Sequence, residues 1–155
     1  EILPRTEEDV YRSIREWVVA ETETRVVGMG SLLVMWHDLA EIRSLVIHPD
    51  FQGYGLGRQM VELLMAEARD LKLKRVFALT RKPGFFLKLG FELTKIEKLP
   101  RKVKRDCVFC PVFHACDEVA LIYDFKRKAA EVIPAALPAE NGHAPAGLSI
   151  PLAVK

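Results

Sequence analysis

Glycine occupies alternate positions at Gly53, Gly55 and Gly57, directly behind Gln52 and directly ahead of an apolar helical repeat. Bare main-chain N–H groups in such a turn can curl toward one point, and the dipole of the following helix adds positive potential there. That is the chemistry of a diphosphate cradle. A dinucleotide-binding turn needs its third glycine three residues further on, and a nucleotide P-loop needs Gly-Lys-Ser/Thr, so neither fits. The plainer alternative is a turn whose glycines serve geometry alone.

Upstream, Glu41 and Arg43 stand two apart in an apolar run. In a strand they share a face with Leu45, neighbours lying about 7 Å apart. A carboxylate there can take a proton from an amine, and a guanidinium can hold a carboxylate. The alternative is a mutual surface ion pair worth under about 1 kcal/mol. A bulge would change which residues share the face. Cys107, Cys110, His114 and Cys116 form a third constellation. Zinc accepts three thiolates and an imidazole, but His114 and Cys116 are too close for a usual second ligand pair. No metal site is assigned; a redox dithiol and packed thiols are the other readings. His37 and His48 read as loop residues without a chemical role.

These groups need elements to place them. Thr6 with Glu7, Glu8 and Asp9 predicts a helix start, and Val10 and Ile14 give that helix one apolar face. Strands are expected over Trp17 to Ala20, Arg25 to Trp36, and Leu39 to Ile47, as a meander. Gly28 and Gly30 predict a bulge or a close approach within the second. Leu56, Met60, Leu64 and Leu71, beside Val61 and Ala68, predict a long helix. It leads to a strand from Arg75 to Leu79, in a parallel, right-handed crossover. A short helix runs from Pro83 to Gly90, a strand from Phe91 to Leu99, a basic loop from Arg101 to His114, and a last strand from Val119 to Phe125. Residues 126–155 are Ala/Pro-rich and read as a tail with little structure of its own.

The chain has 155 residues, half of them hydrophobic, enough for one domain with a core. A net charge of +2 argues for neither a nucleic-acid nor a membrane partner. No run is long and apolar enough for a spanning helix, and three cysteines suit a reducing compartment, so a cytoplasmic protein is expected.

Gln52-x-x-Gly55-x-Gly57 resembles the Gln/Arg-x-x-Gly-x-Gly/Ala motif of the GNAT acetyltransferases. Glu41 to Asp50 resembles that family's central strand, and Phe86-Leu87-Lys88-Leu89-Gly90-Phe91 its Tyr-x-Lys-x-Gly-Phe signature. The resemblance covers most of Thr6 to Asp124 and is densest from Ala40 to Phe91. It implies an α/β (α+β) fold over residues 1–125, with a mixed, mostly antiparallel sheet, flanking helices and a parallel strand–helix–strand crossover. It implies acetyl-CoA as co-substrate, with Gln52, Gly53, Tyr54, Gly55, Leu56 and Gly57 around the pyrophosphate and Arg58 available to a phosphate. The backbones of Leu45, Val46 and Ile47 would meet the pantetheine arm and thioester, and Glu41 would be the catalytic base. Phe86 stands where the family's tyrosine acid is common, and Thr80 where asparagine is frequent. A thiol of pKa near 8.5 can leave without that tyrosine.

Leu3-Pro4-Arg5-Thr6, Trp17 to Glu21, Ala40 to Leu45, and Phe77 to Phe91 further resemble the acetyltransferase domain of N-acetylglutamate synthase, in its short stand-alone form. This implies acetylation of an amino acid, L-glutamate foremost, toward arginine. Arg43 and Arg81, or the Arg101 to Arg105 run, would meet its carboxylate. The family's first strand and helix have no counterpart ahead of Leu3, so one sheet edge is expected open, which also allows a homodimer. Other acceptors (a polyamine, a drug-like amine, a protein N-terminus) stay open, as does a non-catalytic acetyl-CoA sensor or zinc-stabilised module. A basic pocket would favour acidic acceptors and an acidic one polyamines.

Overall fold

The Thr6 hydroxyl accepts from the Asp9 amide at 3.1 Å, while the Asp9 carboxylate accepts from the Thr6 amide at 3.2 Å. This reciprocal cap opens α1 (Glu7–Arg12). The computed structural model describes residues 5–99, 102, 106–130 and 152–154. α1 buries no residue, and Ile14, expected on its apolar face, is exposed in a one-turn 3-10 helix that leads to the first strand. The helix is too short to carry a stripe.

β1 (Trp17–Glu21), β2 (Val26–Trp36) and β3 (Leu39–Ile47) form the expected antiparallel meander. α2 (Leu56–Asp70) crosses to β4 (Arg75–Thr80), which pairs parallel to β3. α3 (Pro83–Lys88) follows and ends near Gly90, whose φ of 85° is left-handed. β5 (Glu92–Leu93), β6 (Val119–Asp124), α4 (Phe125–Ala130) and β7 (Leu152–Val154) complete the described elements. The strand order is β5-β6-β4-β3-β2-β1-β7. This is the mixed, mostly antiparallel sheet with one parallel crossover that the sequence implied.

Three expectations are corrected. Phe91 to Leu99 is not one strand: only Glu92 and Leu93 pair with β6. The chain then turns through a 3-10 helix at Ile96–Lys98 and buries Leu99 beneath the sheet. The tail is not featureless among the described residues. The Asp124 carboxylate accepts from the amides of Lys126 and Arg127 at the start of α4, and β7 pairs with Val18, Val19 and Ala20 along the edge expected to be open. Residues 131–151 lie outside the described set. Finally, Leu71 does not extend the apolar stripe of α2; it is half-exposed beyond the helix end, and Leu73 takes the buried place.

α2 buries Leu56, Met60, Val61, Leu64, Met65 and Ala68 across one face of the sheet, where they meet Val18, Val27, Leu32 and Ile42. Each large side chain so buried contributes about 1.5–3 kcal/mol. Leu33, Met35, Leu39, Phe77, Leu99 and Ala120 form a second cluster on the back face. Gly28 is where the front layer comes closest. A Cβ there would lie 2.7 Å from Ile47 Cδ1, 3.1 Å from Met60 Sδ and 3.3 Å from the Val46 carbonyl oxygen. Gly28→Val is therefore expected to destabilise the fold by about 1–3 kcal/mol, read as a fall in Tm by calorimetry. An unchanged Tm would show that this layer yields without cost.

Two irregularities in β3 shape the cleft. Its parallel pairing with β4 runs only from Leu39–Arg75 to Glu41–Phe77, after which the strands leave their common ladder. On its other side the register with β2 passes from Ser31–Arg43 to Met29–Val46, so two residues of β3 face one of β2. Ser44 sits at that bulge with φ 54°, in the left-handed region.

Candidate active site

Beyond Glu41, the diverging halves of β3 and β4 open a cleft of about 530 Å³. Its wall brings together Glu41, Arg43, Leu45, Val46, Ile47, Gln52, Gly53, Gly55, Leu56, Gly57, Arg58 and Arg81. Of the residues expected to meet the coenzyme or the acceptor and named one by one, Tyr54 is the one not on the wall; its side chain is about half exposed.

The glycine turn forms one end. Gly53 and Gly55 have φ of 86° and 82°, a conformation that side chains resist, and Gly55 caps α2. Gln52 ties the turn to β3: its side-chain amide donates to the Ile47 carbonyl at 2.9 Å, so that carbonyl is already engaged. The first turn of α2 carries no acidic residue, although acids are favoured at that position. Arg58 stands there instead, paired with Glu62 at 2.9 Å on the exposed surface. An N-terminus left without its usual carboxylates and flanked by an arginine suits an anionic ligand.

The bulge corrects one expectation here. Glu41 and Arg43 do share the back face, but Leu45 does not join them. It packs with Ile47 against the α2 core, where a Cβ on Gly30 would meet Leu45 Cδ1 at 3.1 Å and Leu64 Cδ1 at 3.6 Å. The front of the cleft is lined by Phe85 and Phe86, edge to face with ring centroids 5.1 Å apart. Phe86 is buried and stacks in turn on Phe91, so this position offers hydrocarbon and no proton. Thr80 Oγ1 accepts from the Lys82 amide at 3.0 Å.

At the back, Glu41 is 3% exposed, and its carboxylate does not pair with Arg43. Lys102 Nζ lies 2.8 Å from Glu41 Oε1 and 2.9 Å from Oε2, with Asp106 Oδ2 on its far side at 2.9 Å. Burial pushes the Glu41 carboxyl above the ordinary carboxylate range, and the Lys102 ammonium opposes that push. Lys102 is itself held above the usual lysine value by its two carboxylate partners, which outweigh its own burial. Arg43 pairs with Glu16 at 3.2 Å, and its buried Nε has no hydrogen-bond partner. Arg81 pairs with Asp117 at 2.6 Å at the rim.

Lys102 had no signal of its own in the sequence, where it belonged to a basic loop whose Arg101 to Arg105 run was expected at most to meet the acceptor's carboxylate; residues 101 and 103–105 of that run are outside the described set. Arg5 also reaches the wall, its Nε donating to Ser44 Oγ at 3.4 Å. The cysteines lie on two 3-10 turns beside this region: Cys107 buried, Cys110 partly buried, Cys116 exposed. Burial raises the Cys107 thiol, which disfavours a reactive thiolate. Among the described residues, no three His, Cys, Asp or Glu side chains are placed to hold a metal ion, and no helix is long and apolar enough to cross a membrane.

A family model described as the acetyltransferase (GNAT) family matches residues 2–91. An uncharacterised N-acetyltransferase of Chlorobaculum tepidum is 36% identical over 78% of this chain and 78% of its own length. An amino-acid acetyltransferase of Mycobacterium tuberculosis is 44% identical over 59% of this chain, which spans only 53% of that protein. The crystal structure of Rv2747 from Mycobacterium tuberculosis, in complex with CoA and NLQ, superposes with a TM-score of 0.65 at 29% identity, covering 79% of this chain and 84% of that one. The chain belongs to the GNAT acetyltransferase family, and it is an acyltransferase.

Proposed function

We propose that this chain transfers the acetyl group of acetyl-CoA to the amine of an amino acid, L-glutamate foremost, as a step toward arginine. The observation that carries the choice of acceptor is the charge of the cleft wall. Arg5, Arg43, Arg58, Arg81, Lys82 and Lys102 stand against Glu41 and Glu118 among the described residues. Arg43, Arg58, Arg81 and Lys102 pair with Glu16, Glu62, Asp117 and Asp106 behind the wall, so what favours a carboxylate-bearing acceptor over a polyamine is the excess of cationic donors on the wall itself, the buried Arg43 Nε without a hydrogen-bond partner foremost. The likeness to an amino-acid acetyltransferase supports the same choice.

In this reading the diphosphate of the coenzyme rests on the amides from Gly53 to Gly57, and Arg58 swings from Glu62 toward phosphate. The acyl arm runs along Leu45, Val46 and Ile47 into the gap between β3 and β4, so the thioester meets the acceptor beside Glu41. Glu41 takes a proton from the acceptor's ammonium, directly or through water. The freed amine attacks the carbonyl carbon, the C–N bond forms, the nitrogen gives up its second proton to solvent, the C–S bond breaks, and coenzyme A leaves as a thiolate. Phe86 cannot supply the thiolate's proton, which comes from solvent.

The test is release of free thiol from acetyl-CoA against a panel of amino acids, polyamines and peptides. Turnover with glutamate, and little with polyamines, is the expected result; preference for polyamines would overturn the acceptor. In the same assay Arg43→Ala is expected to raise KM for the amino acid about 10- to 100-fold while kcat changes little, because a charge-assisted contact made equally in ground and transition states is lost. An unchanged KM would remove Arg43 from the acceptor site.

A further inference from the structure

Glu41 is enclosed by hydrocarbon on both sides in the sheet: Leu33 of β2 and Phe77 of β4 are its register partners. A carboxyl so placed would keep its proton near neutrality unless something charged faced it. Among the described residues the charged groups around it are Lys102 and Asp106 from the segment beneath the sheet and Arg43 from its own strand, with the Cys107 thiol nearby. Arg43 is committed to Glu16. Among the described residues Lys102 alone touches the Glu41 carboxylate, spanning both oxygens, and its side chain is 9% exposed.

We propose that Lys102 is a positioning residue for the transfer reaction: clamped by Asp106, its ammonium holds the Glu41 carboxylate ionised and fixed in orientation at the floor of the cleft. The proposal rests on the reading of Glu41 as the base. Two features favour this over a merely structural pair. A buried ion pair adds little to stability compared with apolar residues of the same shape, so the fold alone gives small reason to place one here. And both Lys102 and Glu41 line the cleft rather than the closed core. The second carboxylate matters too. Asp106 is only partly buried and holds Lys102 from the solvent side, so the ammonium remains charged and in place when an acceptor amine approaches Glu41.

The test uses the whole chain with acetyl-CoA and the best acceptor of the panel. In Lys102→Met or Lys102→Gln, whichever melts cooperatively, the acid limb of the kcat/KM profile is expected to move up by about one to three pH units, and Lys102→Arg to return it to the wild-type position. The carboxyl-carbon resonance of Glu41 in glutamate-labelled protein reads the same ionisation without turnover. It is expected in the ionised position at pH 7 in wild type and in the protonated position in the lysine variants. A limb and a resonance unmoved in a folded Lys102 variant would overturn the role of Lys102, as would a protonated Glu41 at pH 7 in wild type. The base assignment fails separately: if Glu41→Gln keeps the acid limb, Glu41 is not the base, and the lysine proposal falls with it.

Discussion

Glu41→Gln is expected to lower kcat about 10²- to 10⁴-fold while leaving acetyl-CoA affinity essentially unchanged. The glutamine is isosteric and keeps the back of the cleft filled, but it cannot take a proton. In the proposed placement the coenzyme's contacts would lie at the other end, on the turn from Gly53 to Gly57, so binding there would not depend on Glu41. Stability should not confound the measurement. A carboxyl whose pKa rises on folding contributes less and less as pH climbs past its unfolded value, so a neutral amide removes no favourable ionisation. Lys102 retains Asp106 as a partner. The pH profile carries the sign: the base works deprotonated, so wild-type kcat/KM falls as pH drops through the Glu41 ionisation, at a pH above the ordinary carboxylate range. Single-turnover rates with isothermal titration of the coenzyme would check both halves. Near-normal kcat in the glutamine variant would take Glu41 out of the chemistry.

Gly55→Val is expected to weaken acetyl-CoA binding about 100-fold or more, equivalent to about 2.7 kcal/mol, with kcat at saturation less affected. Two costs combine. A β-branched residue resists the φ of 82° held by Gly55, at about 1–3 kcal/mol, and relaxes by turning its amide away from the common focus. Among the described residues no atom beyond the adjoining backbone and chain neighbours lies within 4 Å of a Cβ built there, so the packing around the turn does not exclude the side chain. The added bulk instead stands on the cleft wall where phosphate oxygens would approach. Titration calorimetry with acetyl-CoA, beside a melting curve, separates the binding loss from any loss of fold. Undiminished affinity would move the diphosphate elsewhere.

The elements that frame the cleft were legible because each carried local periodicity. The alternation from Leu39 to Ile47 and the helical repeat from Leu56 to Ala68 have no competing reading, and the turn between them is marked by residues that only positive φ requires. What was hidden is what long-range contact decides. The Glu41–Lys102 pair joins positions 61 residues apart, and a lysine inside a basic run looks the same in sequence whether buried or solvated. The bulge at Ser44 left no mark either, since serine is unremarkable in a strand. Phe91 to Leu99 alternates well enough for a strand, but β6 accepts only its first residues before the chain turns under the sheet. The pairing of β7 with β1 was missed because Ala/Pro-rich composition describes most of residues 126–155 and not its last few.

The surplus residue in β3 changes the parity of the strand midway. Upstream, odd-numbered side chains serve the back compartment, where Glu41 meets Lys102; downstream, odd-numbered side chains serve the front, where Leu45 and Ile47 pack against the α2 core. One rigid ribbon thus addresses both compartments without a hinge between them, and their spacing is set by covalent geometry. Drawing Ser44 into regular alternation would turn Leu45 away from the α2 core and leave each compartment lined by the other's residues, whereas excising it would keep Arg43 and Leu45 on their present faces.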